Sequence, residues 1–231
     1  MPVYNEQDII RHVLDEWIRE VMVFLPAGSE LVLDDCSNDG TEVILAEMAR
    51  EYPFLRINTS QKDGFAKAAR RLYTLAACPL IFFTDSDGQY VPSDFWLDAA
   101  RMREADMVHG YKASRSDPFY RVISSRIFNM VVRLMFGISG SDINSAFRLM
   151  RRELIEDQLP ATHCMPMLIN AELYVRAKWA GYRIVDIPIQ HRERPFGPSK
   201  SLPFKTFFWH GWRAFLGALE LRAELRGIKR K

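Results

Sequence analysis

The chain has 231 residues, 48% hydrophobic and 26% charged, with a formal net charge of +2. That is enough material for one α/β domain with a small appendage, and so weak a global field gives no argument for nucleic acid as a partner. Cys36, Cys78 and Cys164 are widely spaced and lack a C-x-x-C, which predicts free thiols in a reducing compartment and speaks against a zinc site.

Met1-Pro2-Val3-Tyr4-Asn5-Glu6 moves directly into a helical pattern, with Ile9, Ile10, Val13, Leu14 and Trp17 at helical spacing. No signal-peptide pattern opens the chain, and the strand expected ahead of this helix is read as missing. Glu30 to Asp34 reads as a short buried strand, and Ser37-Asn38-Asp39-Gly40-Thr41 supplies turn and N-cap residues for a helix over 41–51. A strand at Leu55 to Asn58 and a helix through Ala66, Ala69, Leu72 and Leu75 follow. Pro79 to Thr84 is a further buried strand, and it delivers Asp85-Ser86-Asp87-Gly88-Gln89. Side chains alternate along an extended segment, so Asp85, Asp87 and Gln89 can point three oxygens the same way, a donor set for Mg²⁺ or Mn²⁺. A helix near 93–104 and a strand at Asp106 to Gly110 complete an alternation that predicts a mostly parallel sheet with helices on both faces. Ligands in such sheets sit at the carboxyl ends of the strands, where Asp34, Asp35, Asp85 and Asp87 fall.

The second half opens with a basic loop, Lys112 to Arg121, and a helix whose apolar stripe is Ile123, Ile127, Val131 and Leu134. Arg121, Ser125, Asn129 and Arg133 line its other face. Asp142 to Arg148, a helix over 168–180 and a strand over 183–187 come next, then a cationic loop from His191 to Lys200. From Pro203 the tail places Phe204, Phe207, Phe208, Trp212, Phe215, Leu216 and Leu219 on one helical face and ends in Lys229-Arg230-Lys231. That is the pattern of an interfacial helix beside anionic lipid. No charge-free apolar run reaches the roughly 18 residues of a spanning helix, so any membrane contact is expected to be peripheral.

Pro2-Val3-Tyr4-Asn5-Glu6, Asp34-Asp35-Cys36-Ser37-Asn38-Asp39-Gly40-Thr41 and Asp85-Ser86-Asp87-Gly88-Gln89 stand in the order and rough spacing of the family-2 glycosyltransferases, which the chain resembles over about residues 1–200. Asp142-Ile143-Asn144-Ser145-Ala146-Phe147-Arg148 and Arg194-x-x-Gly197-x-Ser199-Lys200 are similar to the dolichol- or polyprenyl-phosphate mannosyltransferase branch. The resemblance implies a GT-A fold over 1–200, with 201–231 as the amphipathic basic appendage. It implies that Pro2, Tyr4, Glu6, Asp35 and Asp85 bind the nucleotide, and that Asp85, Asp87 and Gln89 hold a divalent metal on the diphosphate. The chain departs from the family's pattern at Cys36, where glycine is usual, and at Lys112, where relatives often carry arginine.

The implied activity is inverting transfer from a GDP- or UDP-linked sugar to a polyprenyl phosphate, at the cytoplasmic face of a membrane, with a homo-oligomer or an integral membrane protein as the candidate protein partners. A phosphate acceptor is largely ionised at neutral pH and needs a cationic cradle in place of a base. Arg115, Arg121, Ser125, Arg148, Arg194 and Lys200 are the candidates, with Asp87, Arg121, Arg148, Arg194 and Lys200 the expected catalytic set. A hydroxyl acceptor would instead recruit Glu172 as base, and a nucleotide-binding module without activity is the third reading.

Overall fold

The computed structural model describes residues 1–113, 119–194 and 204–227. Three strands, Pro2–Val3 (β1), Leu31–Asp35 (β2) and Leu55–Thr59 (β3), form a parallel sheet in the order β1-β2-β3. Leu80–Phe83 (β4), Met107–Lys112 (β5), Arg148–Arg151 (β6) and Ile184–Ile189 (β7) form a second sheet in the order β4-β6-β5-β7. In it β5 and β7 are parallel, while β6 runs antiparallel to both of its neighbours.

Parallel pairing needs a crossover, and helices supply it. Ile10–Glu20 (α1) connects β1 to β2, Thr41–Glu51 (α2) connects β2 to β3, Phe65–Leu75 (α3) connects β3 to β4, and Phe95–Arg101 (α4) precedes β5. The apolar positions read from the α1 pattern are the ones buried: Ile10, Val13, Leu14 and Trp17. Such a side chain contributes about 1.5–3 kcal/mol when fully buried. Phe119–Phe136 (α5), Arg152–Gln158 (α6), Ile169–Trp179 (α7) and Phe204–Arg226 (α8) follow, and α8 packs on α5 and α7.

The strand read as missing is present as β1, paired in register Pro2 with Asp34 and Val3 with Asp35. The two sheets are tied where β1 approaches the end of β4, since Ser86 Oγ donates to Pro2 O at 2.8 Å. Aromatic rings grip β4 along its length: Phe82 lies 4.8 Å from Phe147 and 5.0 Å from Phe95, and Phe83 lies 4.9 Å from Tyr73, centroid to centroid. The residues that follow β4 therefore leave from a fixed point.

Two expectations are revised. Residues 148–158, read only as the end of a motif, form β6 and α6. On α5 the polar row is split: Arg133 is exposed, but Asn129 is buried, accepting from Ile143 N at 3.0 Å and donating to Ser125 O at 2.7 Å. The apolar residues Ile123, Ile127, Met130 and Leu134 are exposed.

Asp98 on α4 is fully buried, and that burial, with the Asp94 carboxylate nearby, pushes its pKa up to about 8. The native state then holds a proton that the unfolded chain releases above about pH 4. Between those values stability falls as pH rises, by up to about 1.4 kcal/mol per pH unit. Asp98→Asn should flatten the pH 4–8 stability profile in denaturant titrations; an unchanged slope would contradict a protonated Asp98.

Candidate active site

The segment after β1 turns sharply into α1. Asn5 takes a left-handed φ of 55°, a conformation asparagine tolerates better than most residues. Its main-chain N–H donates to Ser37 Oγ at 2.8 Å, its side chain donates to Asn38 Oδ1 at 2.7 Å, and it accepts from Asn38 N at 2.9 Å. Glu6 N donates to Thr41 Oγ1 and Gly40 N to Gln7 Oε1. The loops after β1 and β2 are thus laced into one rim, with Tyr4 half-exposed on it and Glu6 and Asp35 buried beneath. Lys62, from the loop after β3, donates to the Tyr4 hydroxyl at 2.7 Å and sits 3.9 Å over its ring.

Of the paired acids ending β2, Asp34 is fully buried and gripped by Arg71, whose Nη2 lies 2.8 Å from Oδ2, with Ser60 Oγ also donating to it. Asp35 is 1% exposed, and its Oδ1 accepts from Ser37 N at 3.1 Å.

At the end of β4, Asp85 and Asp87 are half-buried near each other. Burial, and then the Asp87 carboxylate, push Asp85 up to about 7. Asp87 is raised as well, by burial, against the opposing pull of the Gln89 N–H, Arg194 and Lys112. Two hard-oxygen donors that repel each other at one strand end fit a divalent cation, which would relieve the repulsion. Gln89 is turned toward the following segment, its side-chain amide donating to Arg192 O at 3.3 Å.

Residues 191–194 are fastened across this loop. Arg192 N donates to Gln89 O and Arg192 Nε to Gly88 O, both at 2.9 Å, and its guanidinium pairs with Glu16. His191 bridges Tyr90. Arg194 then reaches Glu6 in an ion pair. Two residues expected to serve different substrates, Glu6 for the nucleotide and Arg194 for the acceptor, are therefore joined, with the Arg194 charge acting on Asp87.

The structure removes Arg148 from the catalytic set. It has no exposed surface, and its guanidinium donates to Ser145 O, Asn170 O at 2.8 Å and Ile143 O at 3.2 Å. A group enclosed by backbone carbonyls cannot touch an acceptor. Glu172 is also withdrawn from the role of base: it is fully buried, accepting from His163 N at 2.9 Å, Cys164 N at 3.1 Å, Met165 N at 2.7 Å and Arg176 Nε at 2.9 Å. Ser125 is half-buried on α5, where its oxygens accept from Asn129. Arg115, Lys200 and the side chain of Arg121 lie outside the described residues. Sequence reasoning did not single out Lys62; its place in the loop ending a parallel strand was the available signal.

The sequence profile of Glycosyl transferase family 2 matches residues 1–159. An undecaprenyl-phosphate 4-deoxy-4-formamido-L-arabinose transferase of Yersinia pestis (strain Pestoides F) is 27% identical over 209 residues, covering 87% of this chain and 61% of that protein. The chain thus spans about three-fifths of the length of the curated relatives it matches. Among solved structures, glucosyl-3-phosphoglycerate synthase from Mycobacterium tuberculosis with phosphoglyceric acid aligns at a TM-score of 0.70 and 16% identity, over 96% of this chain and 78% of that one. A mannosyltransferase from Pyrobaculum calidifontis in complex with GDP-Man and Mn²⁺ aligns at 0.60 and 18%, over 97% and 72%. At those identities the likeness is one of fold, the α/β arrangement of the GT-A class.

Arg148→Met strands several carbonyls in the interior and should lower the free energy of unfolding by about 3 kcal/mol or more. Denaturant titration measures it; an unshifted midpoint together with lost activity would return Arg148 to the reaction.

Proposed function

The chain belongs to glycosyl transferase family 2, and from that premise we propose that it moves a sugar from a nucleotide diphosphate to a polyprenyl phosphate at a membrane surface. The observation that carries this reading is the mouth of β4, where Asp85 and Asp87 stand beside the cations Arg194 and Lys112. Tyr4, Lys62 and Asp35 form the rim against which the base and ribose would lie, and Pro2 supports that rim through Ser86.

Asp85 and Asp87 would hold Mg²⁺ or Mn²⁺, with Gln89 as a further oxygen donor once its amide turns. When bound, such a cation supplies Lewis-acid stabilisation of the departing diphosphate. Arg194 and Lys112 counter the charge of two anionic reactants that must meet. An oxygen of the lipid phosphate forms the new bond to the anomeric carbon as the bond to the nucleotide diphosphate breaks, its electron pair leaving on the diphosphate; attack opposite the leaving group inverts the centre. The attacking oxygen carries no proton at neutral pH, so no base is required. The commitment of Glu172 to backbone N–H groups favours this acceptor over a hydroxyl. The name of the Yersinia pestis relative, an undecaprenyl-phosphate sugar transferase, supports the same acceptor class.

Membrane contact is proposed to be peripheral. Among the described residues no helix is long and apolar enough to cross a membrane. Two helices in contact, α5 and α8, instead expose apolar stripes: Ile127, Met130 and Leu134 on one, Trp212, Leu216 and Leu219 on the other. Burying them in the interface on the cytoplasmic side would bring the lipid phosphate to the site.

Incubation with UDP- and GDP-sugars, Mn²⁺ or Mg²⁺ and polyprenyl phosphate should yield a glycolipid, and Asp87→Ala should abolish it while leaving the unfolding midpoint within reach of wild type. No product from any common donor would sink the assignment. Glu172→Gln should change turnover of the folded protein by less than about tenfold, whereas loss of a general base costs about 10²–10⁴-fold. Leu134→Glu, at a position 77% exposed, should weaken co-sedimentation with anionic vesicles by about tenfold, the scale set by one buried leucine; undiminished binding would exclude the α5 stripe from the interface.

A further inference from the structure

Away from the Asp-x-Asp loop, the segment before α7 and one face of α8 bring together an imidazole, a thiol and two carboxylates. The ligand atoms of His163, Cys164, Glu220 and Glu224 all lie within 4.8 Å of one another. We propose that these residues form a second metal site, selective for a borderline-soft divalent ion such as Zn²⁺, which fastens α8 to the catalytic domain. One nitrogen, one sulfur and two oxygens make a donor set that suits Zn²⁺ and is poorly matched to Mg²⁺.

Three features make this a built arrangement. Glu172, which the proposed reaction does not use, accepts from the N–H groups of His163, Cys164 and Met165 and so fixes the backbone carrying two of the donors. Arg176 bridges Glu172, Cys164 Sγ at 3.4 Å and Glu224 Oε2 at 2.7 Å. Glu224 therefore keeps Oε1 toward His163 Nε2, 2.9 Å away, while its other oxygen is oriented from behind, as metal-binding carboxylates are. Gly217 allows the approach: a methyl there would fall on the Cys164 carbonyl, so only glycine lets α8 come close enough for Glu220 and Glu224, four residues apart on one face, to reach the thiol. His163, Cys164 and Glu220 line a cavity of ≈ 250 Å³ that gives an ion a path from solvent.

Binding exchanges the Cys164 thiol proton, released to solvent, for a metal–sulfur bond, and inserts the ion between His163 and Glu224 where they now pair directly. The absence of a C-x-x-C hid this set, because its donors come from two segments more than fifty residues apart.

Co²⁺ reports the coordination. Titrated into the full chain, it should give a near-ultraviolet thiolate-to-cobalt charge-transfer band with tetrahedral visible bands, and Zn²⁺ should displace them. Cys164→Ser should abolish the charge-transfer band. Glu220→Gln, an exposed position that spares the fold, should weaken Co²⁺ binding at this band by at least about tenfold, since loss of an outer partner alone costs about 10–100-fold. Asp87→Ala, which cripples the other cation site, should leave the band in place. A cobalt spectrum with no thiolate band, a band that survives Cys164→Ser, or a band lost with Asp87→Ala would each overturn the proposal.

Discussion

A buried guanidinium organises the half of the molecule that carries the Asp-x-Asp loop. Arg148 sits on one of the two inner strands of the second sheet, with β4 on one side and β5 on the other, and it gathers carbonyls from residues 143, 145 and 170. Taking that cation out of water is costly, and its burial lowers its own pKa; hydrogen bonds to carbonyls offset the cost. Only arginine has the planar fork to reach three backbone groups at once, and lysine would leave some of them unmet. Its charge also falls on Asp85, Asp98 and Asp186, drawing each toward ionisation against their burial. The residue that looked catalytic in the sequence therefore acts by holding the sheet under the site and by biasing the acids around it.

On that sheet the site is assembled from strand ends. β1 has only two residues, yet its position between Asp34–Asp35 and Ser86 lets it register one sheet against the other. Asn5, in its left-handed turn, then directs Glu6 toward Arg194, nearly two hundred residues later in the chain. Arg192 closes the opposite side by binding Gly88, Gln89 and Glu16. The clamp at Asp87 is thus enclosed by groups from the first and last thirds of the domain, and its geometry depends on long-range closure more than on any one loop.

Most of the first half was legible in the sequence because period and punctuation agree there: the strand read over Glu30 to Asp34 and found at Leu31–Asp35, the turn residues before Thr41 and the apolar run before Asp85 each give one answer. The second half was less so. β6 carries arginine at both ends, and only the carbonyls collected by the fold make a buried arginine tenable there. On α5 periodicity revealed two faces without saying which meets the core; Asn129 faces inward because Ile143 N needs an acceptor, a fact that no local pattern encodes. α7 shows no amphipathic signal because its residues from Ile169 to Ala177 are all buried, Glu172 and Arg176 included as a mutual pair. Asp35 lies at the end of β2 and Asp85 and Asp87 in the loop after β4, where the motifs led one to look, whereas Arg148, read from a motif in the same way, is enclosed by backbone carbonyls.

The disposition of carboxylates bears directly on the acceptor. Asp34 is held by Arg71, Glu6 by Arg194 and Glu172 by backbone N–H groups. Burial, and then the Asp87 carboxylate, push Asp85 up to about 7, so the pair gains from a cation, and carboxylates whose oxygens are given to a cation are not free to act as the base for a sugar hydroxyl. A nucleophile that arrives already ionised removes the need for a base, and Lys112 and Arg194, whose charges act on Asp87, have the sign to receive it. A lipid phosphate meets that requirement, and the outward apolar faces of α5 and α8 supply a surface on which its chain could rest. The chemistry of the site and the hydropathy of the exterior thus support the same acceptor by independent physical arguments.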